Sequence, residues 1–278
     1  MSKRIFHLLC VGVLFTFSNL SAQKIDSVFF KAKEQVLLSQ YNHILNSEGA
    51  AKRHAEKDFC DSFYACLTLE NSFYFTFDSL KNIGRIQSDD NYLNIFTWNI
   101  PQKSGYSSYY GIIQYYSKKE KKFSVYLLKE EPGILIRNPQ SQADLSHWPG
   151  ALYYSIITTK YKSQVYYTLL GFNFNDLLSN IKIIDVIAFN DSGIPFFPPK
   201  MFVYNNKPQN RIVYQYNERV QMMVEYNEKL KEIVADHLSP SRPSMQGQYQ
   251  FYGPDFSYEG FSFQDGVWVQ KSDIDVRN

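Results

Sequence analysis

The stretch "ADHLSPS" places Asp236, His237, Ser239 and Ser241 side by side. These are the side-chain types of an orienting acid, a base and a nucleophile, which act together only when they converge in space. Adjacent residues of a regular strand point to opposite faces, so Asp236 and His237 cannot both enter one site. The stretch therefore reads as a strand end followed by a Ser-Pro turn, and no catalytic residue is assigned. His43, His54 and His147 lie far apart in sequence, and none forms the two-histidine helical pair of a zinc protease. "GYSSYYG", from Gly105 to Gly111, has the glycines and serines of a nucleophile elbow at the wrong spacing. Phosphate-cradling glycine loops are missing.

Cys60 and Cys66, in "CDSFYAC", have no histidine at ligand spacing except the distant His54, which argues against zinc. "NFND" and "NDSG" offer oxygen ligands without the spacing of a calcium loop. No metal and no cofactor is expected. The cysteines lack Cys-x-x-Cys spacing, so they are no redox motif. In an oxidising compartment a structural Cys60–Cys66 disulfide is open to them on one condition. At 100° per residue on a continuous helix the two side chains point to different faces, so a bridge needs a break between them.

The elements that must position any site begin after a leader. Residues 1–22, "MSKRIFHLLCVGVLFTFSNLSA", have the layout of a secretory signal peptide: Lys3 and Arg4, an apolar run from Ile5 to Phe17, then Ser21 and Ala22. The run is short for a bilayer span, and no later stretch is apolar enough to cross a membrane. The whole chain carries a formal net charge of +2. Loss of the leader removes two basic residues and no acid, which leaves 27 of each sign. That balance argues against nucleic acid or an anionic membrane surface as the main partner.

Residues 23–80 read as a helical segment. Val28, Ala32, Val36, Leu37, Tyr41 and Leu45 recur near helical spacing, and Phe59, Phe63 and Leu67 repeat the pattern in a second helix. Residues 81–278 read as a β-meander domain, with short runs of two-residue alternation separated by polar turns. "IGRIQSDDNYLNIFTWNI" is strand, turn, strand, and Asp265-Gly266 is a two-residue hairpin signal. The fold class is mainly β: an antiparallel meander, as a rolled sheet, a sandwich or a small propeller-like array, with an N-terminal helical segment. Tyr-Asn-Glu occurs at Tyr216–Glu218 and again at Tyr226–Glu228, a repeat of similar turns.

"FDSLKNIGRIQSDDNYLNIFTWNIP" and the closing "DHLSP…GQYQFYGPDFSYEGFSF…GVWVQKSDIDVRN" resemble a group of exported, β-rich proteins of Gram-negative bacteria with no assigned activity. The resemblance implies a periplasmic or outer-surface location and brings no catalytic residue with it. Within the closing stretch, seven aromatic rings fall between Gly247 and Phe263. Phenylalanines there are expected to fill the core and tyrosines to form an amphipathic rim. Beside Asn, Asp and Gln, such rings also suit sugars or extended peptides. Tyr249, Tyr252, Asp255, Tyr258 and Trp268 are the ligand-binding candidates. The functional expectation is an exported, non-catalytic binding module for protein, peptide or glycan. The alternatives are a hydrolase with a site assembled from distant residues and a structural assembly component.

Overall fold

Leu37, Tyr41 and Ile44 recur every three or four residues, whereas Leu93, Ile95 and their successors alternate in twos. The computed structural model describes residues 27–133, 141–272 and 274, so residues 1–22, whose layout reads as a leader, lie outside the described residues. Helix α1 (Ser27–Leu45) and helix α2 (Gly49–Leu67) come first, followed by a 3-10 turn (Glu70–Tyr74). The buried face of α1 differs from the expected stripe. It consists of Phe30, Glu34, Leu37, Tyr41 and Ile44, whereas Val28, Val36 and Leu45 are exposed. The stripe is displaced because Glu34 turns inward, where both its oxygens accept hydrogen bonds, from the Ser79 N–H and hydroxyl. On α2, Phe59, Phe63 and Leu67 are buried as their spacing predicts.

Sheet 1 is an antiparallel meander of β1 (Gly84–Gln87), β2 (Leu93–Pro101), β3 (Ser107–Ser117) and β4 (Lys122–Lys129), in that order. Sheet 2 has the order β11-β7-β6-β5, from β5 (Leu152–Tyr161), β6 (Gln164–Asn173), β7 (Ser179–Phe189) and β11 (Ile212–Asn217). The short β8 (Pro195–Phe196) pairs with β7. Sheet 3 has the order β10-β9-β15-β14-β13-β12. Its strands are β9 (Phe202–Tyr204), β10 (Lys207–Gln209), β12 (Val224–Asn227), β13 (Glu232–Pro240), β14 (Tyr252–Gln264) and β15 (Val267–Ser272). The two-residue strand β8 and the three-residue β10 carry no readable alternation. The β14–β15 hairpin turns at Asp265-Gly266, both with positive φ, as the dipeptide predicts. It docks parallel to β9, which breaks the simple meander.

The helices and sheets stack in four layers, and no sheet closes into a barrel. Phe59 and Phe63 of α2 pack on Phe96, Trp98 and Ile112 of sheet 1. The other face of sheet 1, with Leu93, Ile95 and Ile113, meets Leu169, Ile183 and Ile187 of sheet 2. Sheet 2 turns Leu170, Ile184 and Val186 toward Phe202, Ile233, Phe261 and Trp268 of sheet 3. Strand β2 is thus covered on both faces, and each fully buried phenylalanine or isoleucine stabilises the stack by about 1.5–3 kcal/mol. Asn94 and Gln114 are buried where sheet 1 meets the end of α2. Gln114 Nε2 donates to the Leu67 carbonyl, and Asn94 Nδ2 donates to the Phe73 carbonyl, so orphan carbonyls after the helix are satisfied.

Between sheets 1 and 2 lies one ion pair. Arg211 Nε donates to Asp185 Oδ1 at 2.9 Å, and the two side chains are only 1% and 2% exposed. Tyr153 Oη donates to Asp185 Oδ2 at 3.3 Å and accepts from Trp148 Nε1 at 3.0 Å. Removing one partner of a buried pair strands the other charge. Arg211→Met is expected to lower unfolding free energy by about 3–5 kcal/mol, read by urea denaturation. Asp185→Leu with Arg211→Met is expected to cost less than Arg211→Met alone; a larger loss would contradict the stranded-charge account.

Candidate functional site

The residues that first suggest chemistry do not assemble a catalytic site. Asp236 Oδ2 accepts the Met223 N–H, the register shifts between Asp236 and Leu238, and no hydrogen bond joins Asp236 to His237 among the described residues. His237 Nδ1 lies 2.8 Å from Asp255 Oδ2 on the surface. The Ser257 hydroxyl donates to Asp255 and not to the imidazole. Partial burial raises the Asp255 pKa, but the Ser257 hydroxyl and His237 together leave it below the usual carboxylate range. His147 Nδ1 lies 2.9 Å from Asp144 Oδ1, and that hydrogen bond raises the imidazole pKa, again with no hydroxyl partner. His43 and His54 are exposed on separate helices. The geometry a hydrolase needs is therefore not met among the described residues. Nor do three His, Cys, Asp or Glu side chains converge there to hold a metal, and no helix there is long and apolar enough to cross a membrane.

The disulfide does not form. Cys60 and Cys66 are free thiols on the unbroken α2, whose continuity keeps their side chains on different faces. Burial pushes both thiols up to about 11, which leaves them poor nucleophiles.

The five aromatic-rich candidates do not converge either. Trp268 is fully buried and donates from Nε1 to Thr168 Oγ1, so it fills the core between sheets 2 and 3 and presents no face to a ligand. Tyr249 sits on a 3-10 turn, not the expected strand, against the ring of Tyr252. Tyr252 Oη accepts the Gly247 N–H. Asp255 is engaged with His237 and Ser257, and Tyr258 pairs in register with Asp236. The expectation that phenylalanines here fill the core holds for Phe261 but not for Phe251 or Phe256. Phe256 is 95% exposed because positive φ (68°) takes it out of the strand alternation.

A different group does converge. Glu130 directly follows strand β4 in an isolated bridge with Trp148, and Glu131, Pro132 and Gly133 come next. Glu130 lines a cavity of about 400 Å³ with Ser107, Tyr109, Pro149, Asn173 and Ile181. Its Oε2 accepts the Tyr109 N–H at 2.8 Å. No other hydrogen bond reaches the carboxyl from the described residues. Trp148 fixes the adjoining wall: its N–H donates to the Lys129 carbonyl, and its carbonyl accepts from Glu131 N–H. Gly150 then passes so close that a Cβ would stand 3.0 Å from Glu130 Oε1, and its φ of +75° also demands glycine.

The polar wall is held from behind. Tyr109 Oη accepts the Phe174 N–H at 2.6 Å, and Asn173 Nδ2 donates to the Gly150 carbonyl at 2.8 Å. Asn173 Oδ1 accepts the Asn175 N–H, and Asn175 Nδ2 donates to Ser179 Oγ. Ser107 Oγ accepts from Asn99 Nδ2, so it is no free nucleophile. Beside the mouth are Tyr106, Phe174 and Leu177, which are 56%, 48% and 73% exposed. Leu177 packs over Gly105. An apolar patch beside a pocket that carries a few convergent polar groups marks an interaction surface.

Burial pushes the Glu130 carboxyl up to about 7, against the opposing pull of the Tyr109 N–H. The sequence gives little warning of this acid, which follows strand β4 as the first of two adjacent glutamates.

Comparison with family models, curated proteins and solved structures finds no match for this chain.

Because its folded pKa is raised, Glu130 holds its proton in the folded state after the unfolded chain has lost it. Its contribution is therefore neutral below the unfolded value and increasingly destabilising as pH rises from about 4.3 through 7. Between about pH 5 and pH 8 the melting temperature of the native chain is expected to fall more than that of Glu130→Gln; parallel curves would contradict the raised pKa. Gly150→Ala is expected to lose more stability in urea than Gly49→Ala, since both have positive φ but a Cβ at Gly49 meets nothing within 4 Å. Equal losses would show that the close approach to Glu130 carries no weight.

Proposed function

We propose that this chain is an exported, non-catalytic binding module of the cell envelope, whose Glu130 pocket takes an ammonium group set beside an apolar side chain. A peptide or a protein segment presents that combination at its N-terminus or at a lysine. The observation that carries the reading is Glu130 itself: a half-buried carboxyl that, among the described residues, has a hydrogen bond to one oxygen only, in a cavity with exposed apolar side chains beside it. An ammonium ion supplies the missing donors and favours the charged carboxylate, while the Tyr106, Phe174 and Leu177 patch accepts the neighbouring apolar group. No histidine lines the pocket and its serine hydroxyl is engaged, which supports binding over chemistry.

Between the ligand classes, the tryptophans favour peptide over glycan. Trp98, Trp148 and Trp268 are all buried, so none offers an indole platform to a sugar ring. Export rests on the signal-peptide layout of residues 1–22.

Leucinamide and N-acetyl-leucinamide, which differ by the charged amine, form the test pair. Amide resonances of Ser107, Tyr109, Asn173 and Asn175 are expected to shift on titration with leucinamide and not with the acetylated compound. Glu130→Gln is expected to weaken the shifts by roughly tenfold or more in apparent affinity. Affinity rises with pH through the Glu130 titration until the amine loses its proton near about 8. Equal binding of both compounds, or full binding by Glu130→Gln, would overturn the proposal.

A further inference from the structure

A second cleft, of about 580 Å³, lies between sheets 2 and 3 at the opposite end of their strand orders from β11 and β10. Five consecutive residues of β5, Tyr154 to Thr158, line one side, and Met222 to Tyr226 line the other. A strand face contributes alternate residues, so consecutive lining means that the strand edges, with their backbone groups, form the walls. Among the described residues both strands hydrogen-bond in a ladder on one side only, β5 to β6 and β12 to β13. Strand β1 lies beside β5 at its Tyr153 end, and the cleft is lined by the stretch of β5 that follows, Tyr154 to Thr158. Tyr154 Oη donates to the Val224 carbonyl at 2.8 Å, which closes one end and shows that β12 turns this carbonyl away from β13.

An open edge is a template for another strand. Its charge selects which strand. Asp89, Glu225 and Glu228 line the cleft, and no salt bridge engages them among the described residues. The one cation in the lining, Lys182, is occupied by the ring of Tyr154 at 4.2 Å. Thr158 Oγ1, also in the lining, is buried without a hydrogen-bond partner. We propose that this cleft takes an extended, lysine- or arginine-bearing peptide segment of a partner protein as an added strand on the free edge of β5. Main-chain hydrogen bonds supply its affinity, and the three carboxylates select its basic side chains. The site is separate from the Glu130 pocket, with which it shares no lining residue.

The test uses a fluorescent peptide alternating lysine with valine and threonine, its glutamate-for-lysine counterpart, and two versions N-methylated on alternate backbone nitrogens in opposite registers. Anisotropy titration of the full chain is expected to show the lysine peptide binding at least about tenfold more tightly than the glutamate one. One methylation register is expected to abolish binding and the other to leave it, because a paired strand turns only alternate N–H groups to its neighbour. Glu225→Lys with Glu228→Lys, both exposed and so compatible with folding, is expected to weaken binding by about tenfold or more. Glu130→Gln is expected to leave it unchanged. Lack of binding, equal binding of the glutamate peptide, or equal effects of the two registers would overturn the proposal. Loss of binding in Glu130→Gln would also overturn it, by moving the peptide to the other pocket.

Discussion

A carboxylate stands where sheets 1 and 2 bury their apolar faces against each other. Asp185 shares its side of β7 with Ile183 and Ile187, and its charge there must be matched or the interface does not hold. Arg211 matches it from the entry to β11 and also donates to the Ser141 carbonyl. Tyr153 matches it from β5, and Tyr153 in turn takes the indole N–H of Trp148. Four residues, two from strands β5 and β7 and two from the loops at Trp148 and before β11, are thereby held in a single arrangement. Trp148 then pins the end of β4 through its own backbone, and the chain reaches Gly150 against the Glu130 carboxyl. The pocket depends on this buried charge more than on any residue in its lining.

The same principle sets the character of the site. A polar group survives in a partly dry place only with partners, and the partners decide what else it can do. Asp185 has two side-chain donors, Arg211 and Tyr153, and is a structural anion. Among the described residues Glu130 has one backbone donor, and it lies at a cavity wall, so its charge is open to a ligand. Both acids carry a carboxyl into a partly dry place, and what the fold brings to each decides its role.

Local signals in the sequence carry much of the architecture. The spacing of Phe59, Phe63 and Leu67 marks the buried face of α2, and the alternation from Leu93 to Trp98 marks a strand with two covered faces. Asp265-Gly266 marks a hairpin because few other dipeptides accept two positive φ values. Both Tyr-Asn-Glu repeats mark the same device, since Asn217 Oδ1 accepts the Arg219 N–H and Asn227 Oδ1 accepts the Lys229 N–H. Elements decided by long-range partners were not legible. Glu34 rotates α1 because Ser79 awaits it, and the parallel docking of β15 on β9 depends on strands far apart in the chain. Glu130 belongs to this second group: its environment is assembled from β3, the 148–150 turn and the end of β6. The aromatic closing stretch misled for the converse reason. Its composition promises a platform, but a single backbone excursion at Phe256 separates rings that the sequence places together.

The central claim is that Glu130 is an acid held out of its ordinary range by the cavity the fold builds around it. The direct measurement is the carbon-13 chemical shift of its side-chain carboxyl, followed through a pH titration of the folded chain and assigned by its loss in Glu130→Gln. The account predicts a midpoint near 7, well above the ordinary glutamate value of about 4.3. A midpoint in that ordinary range would show a solvated surface carboxylate, and the pocket would lose its reason to be a site.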